Sequence, residues 1–305
     1  MAHIGTARRF FSNRQAVISC AVILLYLSAA LFFEIQTVIA ELNHTAAPHL
    51  AVSNEIYQAP SMRHLLGTDY QGRDVLMRAA AASSTALKVG LVSGVISVLI
   101  GVTLGAVSGY FGGKTDDIVV WIYSTFASMP SLLFILALAL LVSRDFLSPA
   151  LLGTVKIASA LLRVEPATLA VYCAIGLTAW VTLCRTVRAE TMKLKKMPYV
   201  EAAKVAGTND LTIIRRHILP NVFHLVIIYF TLTFAGAVML EVIVSYLGFG
   251  VQNAPSWGVM ISDGQEQLWR GIWWELAAAT GFLFILVLAL NILGDALRDI
   301  FDPKS

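Results

Sequence analysis

Two stretches, Pro166 to Cys184 and Asn221 to Leu240, run without a single Asp, Glu, Lys or Arg. Each is close to the ~20 residues that take a helix across a bilayer. Between them lies the longest polar stretch flanked by apolar runs, Glu201 to Pro220, read EAAKVAGTNDLTIIRRHILP. The pattern predicts a loop joining two membrane helices. Counted from Arg185, the connection also carries Arg188, Lys193, Lys195, Lys196, Lys204, Arg215 and Arg216, an excess of positive charge that marks a cytoplasmic face. Composition agrees: 57% of residues are hydrophobic and only 13% charged, with a mean hydropathy of +0.74, whereas a soluble globule carries roughly 25% charged residues. The net charge of +3 is small and the basic residues gather at membrane edges, so no nucleic-acid surface is expected.

Four further spans follow from the same reading. Arg8, Arg9 and Arg14 precede an apolar run from Ala16 to Phe33, longer than a signal-peptide core, which predicts an uncleaved first membrane helix. Arg8-Arg9-Phe10-Phe11 is discounted as a twin-arginine signal because five spans come after it. The polar segment Glu34 to Met77 then falls in the periplasm. A second span, Val89 to Gly113, places Gly90, Gly94, Ser97, Gly101, Gly105, Ser108 and Gly112 on one stripe, which predicts a helix packed closely against others. A third runs from Ile118 to Ser143 with a kink at Pro130, and a sixth from Leu276 to Gly294. The connection Arg144 to Glu165 is expected to include a helix on the outer membrane surface. The expected fold is therefore an all-α polytopic membrane protein of six transmembrane helices with both termini cytoplasmic. Residues 1–15 form a cytoplasmic segment, 16–40 the first helix, 41–85 a periplasmic segment, and 86–305 a five-helix core with the cytoplasmic loop 185–220. On this orientation 14 of the 22 Lys and Arg residues lie inside.

Within the loop, Pro198 can open a short helix, Glu201 near its positive end suits the dipole, and Ala202 and Ala203 allow close approach by another protein. Gly207 is placed to end that helix. Asn209 or Asp210 can cap a second short helix to His217, expected to stop before Leu219 because a residue ahead of proline avoids the helical region. Glu201-Ala202-Ala203, Gly207 and His217-Ile218-Leu219-Pro220 resemble the EAA signature of the permease subunits of bacterial ABC importers. In the periplasmic segment, Gly67-Thr68-Asp69 and Gly72-Arg73-Asp74 are similar to the LGTDxxGRD hallmark of the dipeptide, oligopeptide and nickel branch. Physically, the glycines allow turns and the polar groups supply caps and ion pairs, a structured lead onto a helix at the outer surface. Glu241, Ser245, Gly248, Gly250 and Gln252, followed by Ser256-Trp257-Gly258, resemble a third segment of the same family, and Asp295, Arg298, Asp299, Asp302 and Pro303 resemble its C-terminus. The family's charges expected on the third span are replaced by Trp121 and Ser124, although its Ser128-Met129-Pro130 is present.

The resemblance implies a type I ABC importer permease, a multi-pass protein of the bacterial inner membrane that itself hydrolyses nothing. It implies a homologous second permease, two ATPase subunits or domains, and a periplasmic or lipid-anchored substrate-binding protein as partners, with ATP and Mg bound by the ATPases and no cofactor on this chain. Tyr199, Glu201, Ala202, Ala203, Lys204, Gly207, Arg216, His217 and Pro220 would then form the ATPase contact. Peptides are the expected substrate, with nickel chelates, glutathione and other small solutes left open, because the binding protein selects it. A stand-alone ion-driven transporter or channel is the alternative, but it needs buried ionisable residues, and only Glu34 and Glu241 come near membrane depth, both at outer ends. The six His residues show no metal-ligand spacing, and the three Cys fall in or beside apolar spans where packing suffices. Ser108 to Thr115 comes within one residue of a P-loop, yet it follows a membrane helix, and Gly112-Gly113 reads better as a turn.

Overall fold

The computed structural model describes residues 13–301 except 145, 147 and 252. The readings on Arg8 to Phe11, Gln252, Asp302 and Pro303 lie outside the described residues. Helix α1 spans Arg14–Leu42, opened by Asn13, whose side chain accepts from the backbone of Gln15 and Ala16. Then come α2, Val75–Phe111; α3, Gly113–Ser128; α4, Ser131–Ser143; α5, Pro149–Leu162; and α6, Pro166–Leu194. A short α7, Pro198–Val205, precedes α8, Asp210–Tyr246, and α9, Trp257–Gln267, precedes α10, Trp274–Phe301. Five helices, α1, α2, α6, α8 and α10, are long and apolar enough to cross a membrane, and a sixth span results if α3 and α4 are taken together.

Three expectations are corrected. The second helix does not begin at Val89 after a separate surface helix; α2 starts at Val75, where Asp74 caps it by accepting from Met77 N–H, and continues unbroken for 37 residues. That is roughly 55 Å of helix, more than a bilayer core needs, and it draws Arg78 and Lys88 into the bundle. The third span is broken rather than kinked. Met129 and Pro130 are both extended, as a residue before proline prefers, and α3 and α4 meet at 87°. Nor does the helix from Asp210 stop before Leu219. Ile214–Ile218 forms a π turn in which Leu219 N–H donates to Ile214 O, and Leu219 itself is helical. In a regular α-helix the Pro220 ring would press on the carbonyl four residues back; widening the turn relieves that contact and lets one helix run from loop to membrane.

The small-residue stripe lies inside the bundle. Gly90, Gly94, Ser97, Gly101, Gly105 and Ser108 are buried. Toward the α6 side, a Cβ on Gly101 would stand 3.0 Å from Trp180 O and 3.1 Å from Leu183, and one on Gly105 would stand 2.7 Å from Cys184 O. Farther along, Gly94 leaves room for the Phe230 ring of α8. Gly101→Leu should therefore overpack the α2–α6 contact and cost about 1–3 kcal/mol, read as a lowered unfolding midpoint of the purified protein. An unchanged midpoint would mean that this face can open without loss.

Three apolar clusters organise the molecule. The largest surrounds Tyr26, Val89, Tyr172, Trp257 and Leu286 and joins α1, α2, α4, α6, α8, α9 and α10. A second, with Ala106, Leu183, Val200, Ile213 and Ile218, ties α7 to the loop ends of α2, α6 and α8. A third packs Val119 of α3 on Trp180 and Cys184 of α6. Beside it Arg188 of α6 binds Asp116, in the first turn of α3, with two hydrogen bonds of 2.5 Å. Trp121 and Ser124 are exposed.

Candidate functional site

Two regions gather the residues singled out by sequence, one at each end of the bundle. At the loop end, Pro198 occupies the first turn of α7 and Glu201 follows in the same turn, an acidic residue at the positive end of the helix dipole. Gly207, at φ +77°, closes the helix. Its N–H donates to Lys204 O at 3.0 Å and Thr208 N–H donates to Ala203 O at 3.1 Å, the paired bonds of a glycine-terminated helix. Asn209, not Asp210, caps α8 by accepting from Leu211 N–H at 2.9 Å. Asp210 instead accepts from Tyr110 OH at 2.6 Å, which fixes the start of α8 to the end of α2.

This end is rigid on one side and open on the other. Val200 is buried in the second cluster and Ala203 packs against it, whereas Glu201, Ala202, Lys204 and Arg216 are exposed. Tyr199 OH accepts from Asn221 Nδ2 at 3.3 Å, and its ring lies 6.1 Å from that of His217. Pro220 is exposed at the π turn. Sequence reasoning missed Val205 and Leu211, which are 89% and 65% exposed. They lie on either side of Gly207.

At the opposite end the Gly67-Thr68-Asp69 and Gly72-Arg73-Asp74 motifs fold onto one another. Gly67 and Gly72 both have φ near +70°. A Cβ on Gly67 would stand 2.5 Å from Gln58 O and 2.8 Å from Trp274 Nε1, so glycine is required there for space as well as conformation. Thr68 is fully buried; its hydroxyl donates to Glu55 O and accepts from Gln58 N–H, and its carbonyl accepts from Trp274 Nε1 at 3.0 Å. Asp69, also fully buried, accepts from the N–H groups of Gln71 and Arg73, from Arg73 Nε at 2.7 Å and from Arg78 Nη1 at 2.5 Å. Arg78 Nη1 also reaches Glu275 of α10 at 2.9 Å. Asp74 holds His64 Nδ1 at 2.8 Å besides capping α2. Asp263 of α9 lies 4.0 Å from Arg78, and burial pushes its carboxyl above the ordinary range, partly offset by that guanidinium.

The third motif completes this cap. Glu241 is buried and accepts from Ser245 Oγ at 2.6 Å and Ser256 Oγ at 2.9 Å. Gly248, at φ +82°, ends α8, and Gly250 passes so close to Ser245 that a side chain there would collide with its hydroxyl. Trp257 Nε1 donates to Ala79 O at 2.8 Å and Thr85 Oγ1 to Pro255 O at 2.7 Å, both across to α2. The structure thus brings Thr68, Asp69, Glu241 and the Ser256-Trp257-Gly258 segment together around the first turns of α2. It does not bring any of them near α7. Arg78, Lys88 and Glu275 also belong to the long helices, where Arg78 pairs with Asp69 and Glu275, and Lys88 with Glu34. Their charges were legible, but the helix was assumed to start beyond them. Among the described residues no group of three His, Cys, Asp or Glu side chains is placed to hold a metal ion.

Long apolar helices, joined at one end through the short helix α7 and closed at the other by an ion-paired cap, define a polytopic membrane protein. The family model described as the binding-protein-dependent transport system inner membrane component matches residues 101–305, and the chain belongs to that family. It is 35% identical over 305 residues to the oligopeptide transport system permease protein OppC of Haemophilus influenzae, covering 98% of this chain and 87% of that protein. It is 34% identical to OppC of Escherichia coli K12 over 301 residues, covering 98% and 90%. The dipeptide transport system permease protein DppC of Bacillus subtilis is 34% identical over 272 residues, covering 88% and 78%. The chain is a multi-pass permease subunit of a bacterial inner-membrane ABC importer, a component that works with other subunits.

Proposed function

We infer that this chain forms half of the membrane pathway of a peptide importer. It pairs with a homologous second permease, two ATPase subunits supply ATP hydrolysis and hold ATP and Mg, and a periplasmic or lipid-anchored binding protein delivers the substrate. The end bearing α7 faces the cytoplasm, in keeping with the basic residues around it. The observation that carries the reading is α7 itself: two turns, bounded by Pro198 and Gly207, clamped inward through Val200 and open outward at Glu201, Ala202 and Val205. A helix so held can pass the movement of a docked ATPase to α6 and α8 with little loss, because it shares a packed cluster with both. The opposite cap, with Arg73 and Asp74 at its rim, is the contact for the binding protein. Peptides are inferred from the relatives' oligopeptide and dipeptide substrates.

The test is reconstitution of the complete transporter in liposomes with its binding protein. A peptide-loaded binding protein should stimulate ATP hydrolysis several-fold and drive peptide uptake, while the isolated subunit binds no ATP. Stimulation by a non-peptide ligand alone would overturn the substrate assignment, and saturable ATP binding by the isolated subunit would overturn the division of labour.

A further inference from the structure

A cavity of about 790 Å³ opens at the ion-paired end of the bundle, between α1, α2, α5 and α6. Its wall carries charges of both signs. Lys88 Nζ lies 2.9 Å from Glu34, and Arg163, just after α5, pairs with Glu41 and stands 3.8 Å from Glu34. Glu165 accepts from Asn253 Nδ2. Two cations therefore face three carboxylates, leaving a net negative chamber. A second cavity, of about 430 Å³, begins at the same place, since Glu34, Ser84 and Lys88 line both. Apart from these three and Thr231 its wall is apolar, with Leu27, Phe234 and Leu290, and it continues along α1 to Ile23. Ile23 to Glu34 is roughly 16 Å of helix, about half of a ~30 Å hydrocarbon core and so the depth of one leaflet.

We propose that the two cavities together hold one phospholipid with an ammonium-bearing headgroup. Its phosphate lies on Lys88 and Arg163, its ammonium beside Glu41 and Glu165, and one acyl chain in the apolar groove. Ionisable side chains placed among apolar helices mark a site, and here the chamber and the groove meet at the pair Glu34–Lys88, which suits one occupant polar at one end and apolar at the other. The surplus carboxylate selects against an anionic headgroup, and ammonium N–H groups can donate to it directly. A helix of another subunit would fill the groove but leave the charged chamber unanswered.

The purified transporter complex, stripped of lipid in detergent, should be exposed to palmitoyl-oleoyl phosphatidylethanolamine or phosphatidylglycerol, and the bound lipid read by native mass spectrometry. The ethanolamine lipid should be retained about tenfold over the glycerol lipid, and Arg163→Gln or the groove-filling Leu27→Trp should each cut its retention about tenfold. Both positions are partly exposed, so the variants keep the fold. Equal retention of the two lipids, no retention of either, or retention unaffected by either variant would overturn the proposal. So would displacement of the lipid by an equal concentration of soluble glycerophosphoethanolamine, which would show that the groove contributes nothing.

Discussion

Arg78→Met should lower the unfolding free energy of the protein by about 3–5 kcal/mol. The Arg78 guanidinium is the link between three elements: it reaches Asp69 in the loop before α2, Glu275 at the start of α10, and the neighbourhood of Asp263 on α9. Its own side chain and those of Asp69 and Glu275 are almost wholly buried. Asp69 keeps Arg73 at 2.7 Å when Arg78 is lost. Glu275 has no second cation within 4 Å among the described residues, so the variant strands a buried carboxylate, and that stranding rather than the lost attraction sets the size of the effect. Methionine retains most of the aliphatic stem, which limits any loss from packing. The double variant Arg78→Met with Glu275→Gln removes the stranded charge as well and should recover most of the stability. Denaturant unfolding of the purified protein would measure both. A loss under about 1 kcal/mol in the single variant, or no recovery in the double, would show that the cluster is solvated and does not hold the cap together.

The reason that cluster escaped the sequence reading is physical and local. Asp69, Arg73 and Asp74 were visible as capping and ion-pair groups, but their main partner, Arg78, lies on the turn that follows, and its other ligand, Glu275, is about two hundred residues away in the chain. Periodicity and hydropathy carry no information on such a contact. The α2 stripe was legible because small residues at alternating intervals of three and four define one face by helix geometry alone, whichever helix covers it. What covers it, α6 at Gly101 and Gly105 and the Phe230 ring of α8 at Gly94, was not. Pro130 and Pro220 show the limit of a single-residue rule. Both interrupt apolar helices, yet at Pro130 two extended residues turn the chain by 87°, while at Pro220 a π turn absorbs the ring and the helix continues. The surroundings differ: Ile213, Ile214 and Ile218 at the π turn lie in a packed cluster, whereas Met129 and Pro130 are exposed. At the loop end, Glu201, Gly207 and a cap at Asn209 or Asp210 were readable since caps are written in adjacent residues, and the structure chooses Asn209.

Gly207→Val should reduce binding-protein-stimulated ATP hydrolysis of the reconstituted transporter to its unstimulated rate while leaving membrane insertion intact. At φ +77° the residue occupies the left-handed region, which costs an L-residue roughly 1–2 kcal/mol and a β-branched one more. No atom lies within 4 Å of an added Cβ, so the side chain meets no obstacle and the whole effect passes through the backbone. To relieve the strain the chain must leave that conformation, which breaks the bonds from Gly207 and Thr208 N–H to Lys204 and Ala203 O. The last turn of α7 then frays, and with it the exposed face carrying Ala202, Lys204 and Val205. The buried side, anchored by Val200, keeps the rest of the fold in place, so global stability should fall by less than about 2 kcal/mol. Asparagine tolerates the left-handed region far better, and Gly207→Asn should therefore retain most of the stimulation. Normal stimulation in the valine variant would remove α7 from the coupling route, and equal loss in both variants would show that the missing side chain, not the backbone turn, is what the partner requires at this position.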